Sequence, residues 1–242
     1  MEEIYKEIFN ASGIYDMLFI NVTGVLEYDT LQEMTLSNPE MAKTWIKIAG
    51  DSTEETYRSL AVDFPEFNKI VAISYGQFYF ENGLQRNFKR IVNENEYVVL
   101  ATFFSDLNGL SENKIICGDN VLNYDIPMLI KRFLANRPNF QENENKLPNL
   151  LKNFLKSKPW DSTVIDTRLI WKFNGLNAAP KNTQELYSNF LGLKKTVELM
   201  KPAEISSYYW RSDNSEKLNV IGLQSATKVN LSMQLMNFLR EI

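Results

Sequence analysis

The segment Lys69-Ile70-Val71-Ala72-Ile73-Ser74-Tyr75-Gly76-Gln77-Phe78-Tyr79-Phe80 is rich in β-branched and aromatic residues, and it runs straight into Glu81-Asn82-Gly83. A glycine at that point supplies the positive φ of a tight turn, and residues 84–92 resume the extended pattern. The two runs therefore read as a β-hairpin, and its sheet needs further elements to cover it. Met17-Leu18-Phe19-Ile20-Asn21-Val22-Thr23 supplies another strand, and short strands are expected at 114–118 and 162–166. Helical patterning alternates with these strands. Residues 95–110 carry Val98, Val99, Ala101, Phe103, Leu107 and Leu110 on a broad apolar face. A second helix opens at Asp125, with Pro127 in its first turn. A third runs from the Asn182/Thr183 cap to Gly192, and a fourth spans about 216–240. Residues 1–15 read as a lead-in. The polar, partly helical stretch 30–66 is expected to cover one edge of the sheet. Residues 137–162 read as a long connection with a helical turn at 149–156. The pattern predicts one α/β domain over 1–242, with a central mixed sheet of about five strands flanked by helices.

Several chemistries are excluded by residues the chain lacks. It has no histidine, so a histidine general base, a Ser-His-Asp triad and an imidazole zinc site are all ruled out. Cys117 is the only cysteine, which forbids an intramolecular disulfide and suits a reducing compartment. It lies in an apolar run, where a buried, inert thiol is expected. The acidic start Met1-Glu2-Glu3-Ile4 does not resemble a signal peptide, and no apolar run reaches the roughly 20 residues needed to span a bilayer. A soluble protein is the expectation, cytoplasmic or incorporated into a virion assembled in the bacterial cytoplasm. With 30 acidic and 26 basic residues, the overall field does not drive the chain onto nucleic acid. Lys152, Lys156, Lys158 and the pair Lys194-Lys195 are its only basic concentrations, and they read as solvated surface.

Beside these readings stands a resemblance that spans nearly the whole chain. Met17–Thr23 followed by Gly24-Val25-Leu26-Glu27-Tyr28 looks like the first motif of the DnaQ-like (DEDD) 3′–5′ exonucleases. Phe67–Gly76 looks like the second strand, and Gly118-Asp119-Asn120-Val121-Leu122-Asn123-Tyr124-Asp125 looks like the second motif. Val164–Thr167, Trp171-Lys172-Phe173 and Ser207-Tyr208-Tyr209-Trp210 match later segments, and Ser225–Val229 falls where the third motif ends in Asp-Val. The pattern is similar in particular to stand-alone exonucleases related to the proofreading domain of family-B DNA polymerases. The resemblance implies a ribonuclease-H-like fold and, in an active member, two Mg²⁺ or Mn²⁺ ions held by four carboxylates.

Carried onto this chain, the four positions are Asn21, Thr23, Asp125 and Lys228, and only Asp125 is a carboxylate. The family's general base, a tyrosine or a histidine, falls at Gln224 or Leu223. No acid lies within 217–240 to repair the last position, and Asp213 is the last aspartate. The resemblance thus implies a scaffold with no bound metal cofactor and no catalysis, with Lys228 paired to Asp125 in the metal's place. The expected role is a structural or protein-binding subunit of a larger assembly. The 26 asparagines, 18 lysines and 18 isoleucines suit an AT-rich genome, so a phage particle or a replication complex of a phage or bacterium is one setting. The alternatives are a nucleic-acid-binding pseudonuclease that holds a single-stranded 3′ end, and a residual metal-dependent nuclease. Taken by themselves, Asp125 and Asp166 read first as helix N-caps, Asp119-Asn120 as turn chemistry, and Glu27 and Asp29 as solvated carboxylates. Tyr208, Tyr209 and Trp210 read equally as base-stacking residues and as core or interface aromatics.

Overall fold

Met17–Leu26 is apolar on both faces, which suits a strand with helices above and below it. In the computed structural model, which describes residues 13–140, 146–156, 164–172, 182–212 and 216–241, this segment is the central strand β1. Its antiparallel neighbour β2 (Asn68–Phe80) turns through positive-φ Asn82 and Gly83 into β3 (Leu84–Val92), so the expected hairpin forms. On the other side β1 pairs in parallel with β4 (Ile115–Gly118), which pairs in parallel with β5 (Val164–Asp166). The result is a mixed five-stranded sheet of order β3-β2-β1-β4-β5, flanked by helices.

Side chains alternate across β1, so the strand feeds two cores. Leu18, Ile20 and Val22 pack against α4 (Glu96–Asn108), α5 (Ile126–Asn136) and α6 (Asn149–Lys156). Met17 and Phe19 face α7 (Thr167–Trp171), α8 (Thr183–Leu191) and the long α10 (Lys217–Arg240). Each fully buried aliphatic or aromatic side chain of this kind stabilises the fold by about 1.5–3 kcal/mol. The sandwich therefore holds β1 rigidly where its polar residues emerge. Next to α4 a buried ion cluster adds a clamp: Arg132 of α5 meets Glu96 at 2.6 Å and Glu27 at 3.0 Å. Glu96 also accepts the Ile70 N–H at 2.6 Å. Glu27 is thus a member of an ion cluster, and Asp29 pairs with Arg58 at 3.3 Å; neither is a merely solvated carboxylate.

The 30–66 stretch forms α1 (Leu31–Ser37), α2 (Pro39–Ala49) and α3 (Glu54–Leu60). Their apolar residues gather around Trp45 and Tyr57 and meet Leu26 at the end of β1, while α3 packs on α9 (Pro202–Arg211). The expected cover for a sheet edge is instead a cap over the end of the central strand. The reason is the aromatic cluster of Trp45, Tyr57, Phe64 and Phe67, which draws the three helices into one body. The helical turn expected at 149–156 is α6. The lead-in before residue 13, Phe173, Asp213 and parts of the 137–162 connection lie outside the described residues.

Candidate functional site

Asn21 and Thr23 lie two apart on β1 and so share a face; Thr23 Oγ1 donates to Asn21 Oδ1 at 3.2 Å. The register of β1 on β2 shifts just after Thr23, where a bulge re-aims the strand. Across from them Val121–Asp125 winds as one π-helical turn that flows into α5. Asp125 has helical φ and ψ and makes no capping bond, so it is not the N-cap that the sequence suggested. The π turn carries the helix back past the aspartate and frees its carboxylate to reach sideways. Asp125 Oδ1 accepts the Val22 N–H of β1 and lies 3.4 Å from Asn21 Nδ2.

The third element is α10. Ser225 Oγ donates to the Asn21 carbonyl at 3.2 Å and docks the helix on β1. One turn further on, Lys228 lines the same cleft as Asn21, Thr23 and Asp125. The structure thus gathers the four expected positions into one place. The expected ion pair is absent: Lys228 makes no salt bridge and no side-chain hydrogen bond among the described residues. It interacts with Asp125 and Asp119 at longer range. Gln224 is buried and bonded to a neighbouring segment. Its amide accepts from Met200 N at 2.9 Å and donates to the Glu198 carbonyl at 2.8 Å, tying residues 198–200 to α10. Leu223 lines a separate groove beside β3.

Two charged residues join the site without having been singled out for it. Asp119, just beyond β4, pairs with Arg168 of α7 at 3.1 Å and is nearly buried. Its Oδ1 is buried with no hydrogen-bond partner among the described residues. Asp166 stays structural. It caps α7 through the Arg168 N–H at 2.9 Å and fixes the turn after β4 by accepting from Asn120 N at 3.0 Å and Leu122 N at 3.2 Å. The spacing of Asp119 and Arg168 carries no periodic signal. Only the return of β5 beside β4 makes them neighbours.

The cleft holds about 780 Å³ and is bounded by β1, the π turn, the start of α8, residues 199–205 and Lys228. Burial pushes the Asp125 carboxyl up to about 7, against the opposing pull of the Val22 N–H and Lys228. Burial likewise lifts Asp119 to about 6, although Arg168 opposes it. Burial also lowers the Lys228 ammonium below its ordinary value, and the attraction of Asp125 and Asp119 only partly offsets this.

These donors do not fit a pair of divalent ions. Mg²⁺ and Mn²⁺ favour several anionic oxygens converging on one point. At the four positions one carboxylate meets a carboxamide, a hydroxyl and an ammonium; it already accepts a backbone N–H, and the neighbouring Asp119 is held by Arg168. Among the described residues no group of three or more Asp, Glu, Cys or His is placed to hold a metal ion.

The aromatic trio lies on α9. Tyr209 is buried, with Lys69 4.9 Å and Lys217 4.6 Å from its ring centroid. Trp210 donates from Nε1 to the Leu26 carbonyl at 3.0 Å, and the Lys69 ammonium stands 5.0 Å from its ring. Tyr209 therefore has no free face for a base, and the Trp210 ring already serves a cation and the end of β1. Tyr208 is half-buried at the edge of the same cluster.

Compared with known proteins, the chain matches no protein-family model and no curated protein sequence.

Proposed function

We propose that this chain is a catalytically inactive protein on a ribonuclease-H-like, DnaQ-like exonuclease fold. It would serve as a structural or protein-interaction subunit of a larger assembly, such as a phage particle or a phage or bacterial replication complex. One observation carries the reading. Asn21, Thr23, Asp125 and Lys228, onto which the resemblance carries the family's metal-binding carboxylates, line one cleft. Strand order β3-β2-β1-β4-β5, with β2 and β3 antiparallel, is compatible with that fold. A two-metal hydrolysis needs anionic ligands for both ions, and an ammonium group among them repels what the reaction requires.

The charge of the cleft also disfavours a phosphodiester strand. Asp63, Asp119, Asp125, Glu185 and Glu204 line it, against Lys201, Arg168 and Lys228. End-labelled single-stranded DNA and RNA incubated with Mg²⁺ or Mn²⁺ should keep their length. Metal-dependent shortening that disappears in Asp125→Ala would overturn the inactive assignment. In extracts of its native source the chain should elute well above its own 28.1 kDa and cross-link to other proteins. Elution as a free monomer with no cross-linked neighbour would overturn the assembly role.

A further inference from the structure

Lys228 is placed as a reactive amine. It lines a cleft of about 780 Å³, and among the described residues nothing hydrogen-bonds or ion-pairs with its ammonium group. Five other lysines are occupied. Lys43, Lys89, Lys131, Lys195 and Lys217 each meet a carboxylate at 2.5–2.8 Å. Two carboxyl groups, Asp119 and Asp125, border the same cleft and interact with Lys228 without touching it. Arg168 also acts on Lys228 and is committed to Asp119, while Asp63, Glu185, Glu204 and Lys201 line the same cleft.

We infer that Lys228 is a Schiff-base-forming residue that captures small, uncharged aldehydes in this cleft. The inference does not rest on the exonuclease-fold reading, since it uses only the cleft, the amine and its two carboxyl neighbours. The unprotonated Lys228 nitrogen attacks the carbonyl carbon. A C–N bond forms, and the carbonyl π electrons pass to oxygen, which takes up the first of the two protons the nitrogen gives up, leaving a neutral carbinolamine. A neutral carboxyl of Asp119 or Asp125 then protonates the hydroxyl. The C–O bond breaks, water leaves, and the nitrogen gives up its proton to the carboxylate as the C=N bond forms. Nothing is oxidised or reduced.

Burial supports both halves of this step. It disfavours the charged ammonium and keeps the two carboxyls protonated closer to neutrality than ordinary aspartates. The ligand class follows from the lining. Val62, Leu199, Met200 and Ile205 offer apolar wall, and with Asp119, Asp125 and Lys228 set aside as neutral, Asp63, Glu185 and Glu204 still outnumber Arg168 and Lys201, so a phosphate- or carboxylate-bearing carbonyl compound is repelled.

The test is competitive trapping on the intact wild-type chain. The protein is incubated at neutral pH with glycolaldehyde and sodium cyanoborohydride, and the reduced adducts are mapped by peptide mass spectrometry. Lys228 should be labelled about tenfold faster than Lys43 or Lys131, which tests the preference inside a single folded molecule. Glyoxylate, an anionic aldehyde, should label Lys228 several-fold more slowly than glycolaldehyde does. In Lys228→Arg the labelling of all other peptides should be unchanged, and its circular dichroism should match wild type. Labelling spread evenly over surface lysines, with Lys228 no faster than Lys43, would overturn the inference. Equal rates for glyoxylate and glycolaldehyde at Lys228 would overturn the ligand class.

Discussion

Asp125 joins three elements through one carboxyl group. It sits at the end of the π turn, accepts a backbone N–H from β1, and faces Lys228 on α10. Burial raises its folded pKa to about 7 from an ordinary value near 3.8, so the folded state binds this proton more tightly than the unfolded chain does. Between roughly pH 4 and pH 7 the native protein carries the extra proton, and stability must fall as pH rises through that window. Asp119, raised to about 6, adds to the same trend. Lys228 acts with the opposite sign. Its lowered folded pKa costs stability while it is charged, and that cost is relieved as pH rises from the lowered folded value toward the ordinary lysine value. Asp125→Asn keeps an acceptor for the Val22 N–H and removes the titration. Urea midpoints taken at pH 5 and pH 8 should therefore converge in the variant, with the wild-type difference shrinking by about 1–3 kcal/mol. An unchanged difference would mean that the Asp125 proton is bound equally by the folded and unfolded chains.

At the scale of elements the site depends on how closely β4 can approach β1. A Cβ on Gly118 would stand 2.6 Å from the Ile20 carbonyl oxygen and 3.3 Å from Val121 Cβ. The first contact is backbone, which cannot swing aside. Gly118→Ala should push β4 away from β1, disturb the turn that carries Asp119, and cost about 1–3 kcal/mol by urea unfolding. A wild-type midpoint would show that this approach is not tight. Much of this architecture is legible in the sequence because each strand carries its own local pattern. The hairpin, β1 and α4 lie within a few residues of their expected bounds. Helix α9 is announced by Lys201-Pro202-Ala203-Glu204, where proline stands at N1 and Glu204 accepts the Lys201 N–H at 2.7 Å. Its aromatic residues draw attention toward stacking and away from that capping signal. The π turn is not legible, because Asp125 followed by Pro127 is also the signature of a capped helix. The Asp119–Arg168 pair spans 49 positions and exists only through the parallel return of β5. Convergence of Asn21, Thr23, Asp125 and Lys228 is legible only through the resemblance, since no periodicity links a strand, a turn and a distant helix.

For the whole molecule, the cleft's charge sets how divalent ions bear on stability. At the four positions wild type offers one partly protonated carboxyl and an ammonium where the proposed exonuclease kinship would call for four carboxylates, a difference of about four charge units. Any ligand that binds only the folded state raises stability with its concentration. Millimolar Mg²⁺ or Mn²⁺ should therefore leave the wild-type melting temperature unmoved beyond the effect of matched ionic strength. The scaffold, however, holds the four positions within one cleft, anchored by the Ser225 bond to β1 and the Asp125 bond to Val22. The combined variant Asn21→Asp, Thr23→Glu and Lys228→Asp would bring four acids together. Without metal, their mutual repulsion and burial should lower the melting temperature, because like charges in a shared site disfavour ionisation. With Mn²⁺ the loss should reverse in a concentration-dependent way, by about 2–3 kcal/mol at a hundredfold excess over the dissociation constant. If wild type gains the same Mn²⁺-dependent stability, its ligands are not lost. If the variant is destabilised and Mn²⁺ fails to recover it, the four positions do not converge closely enough to form a metal site, and the proposed kinship with a metal-dependent nuclease fold loses its geometric support.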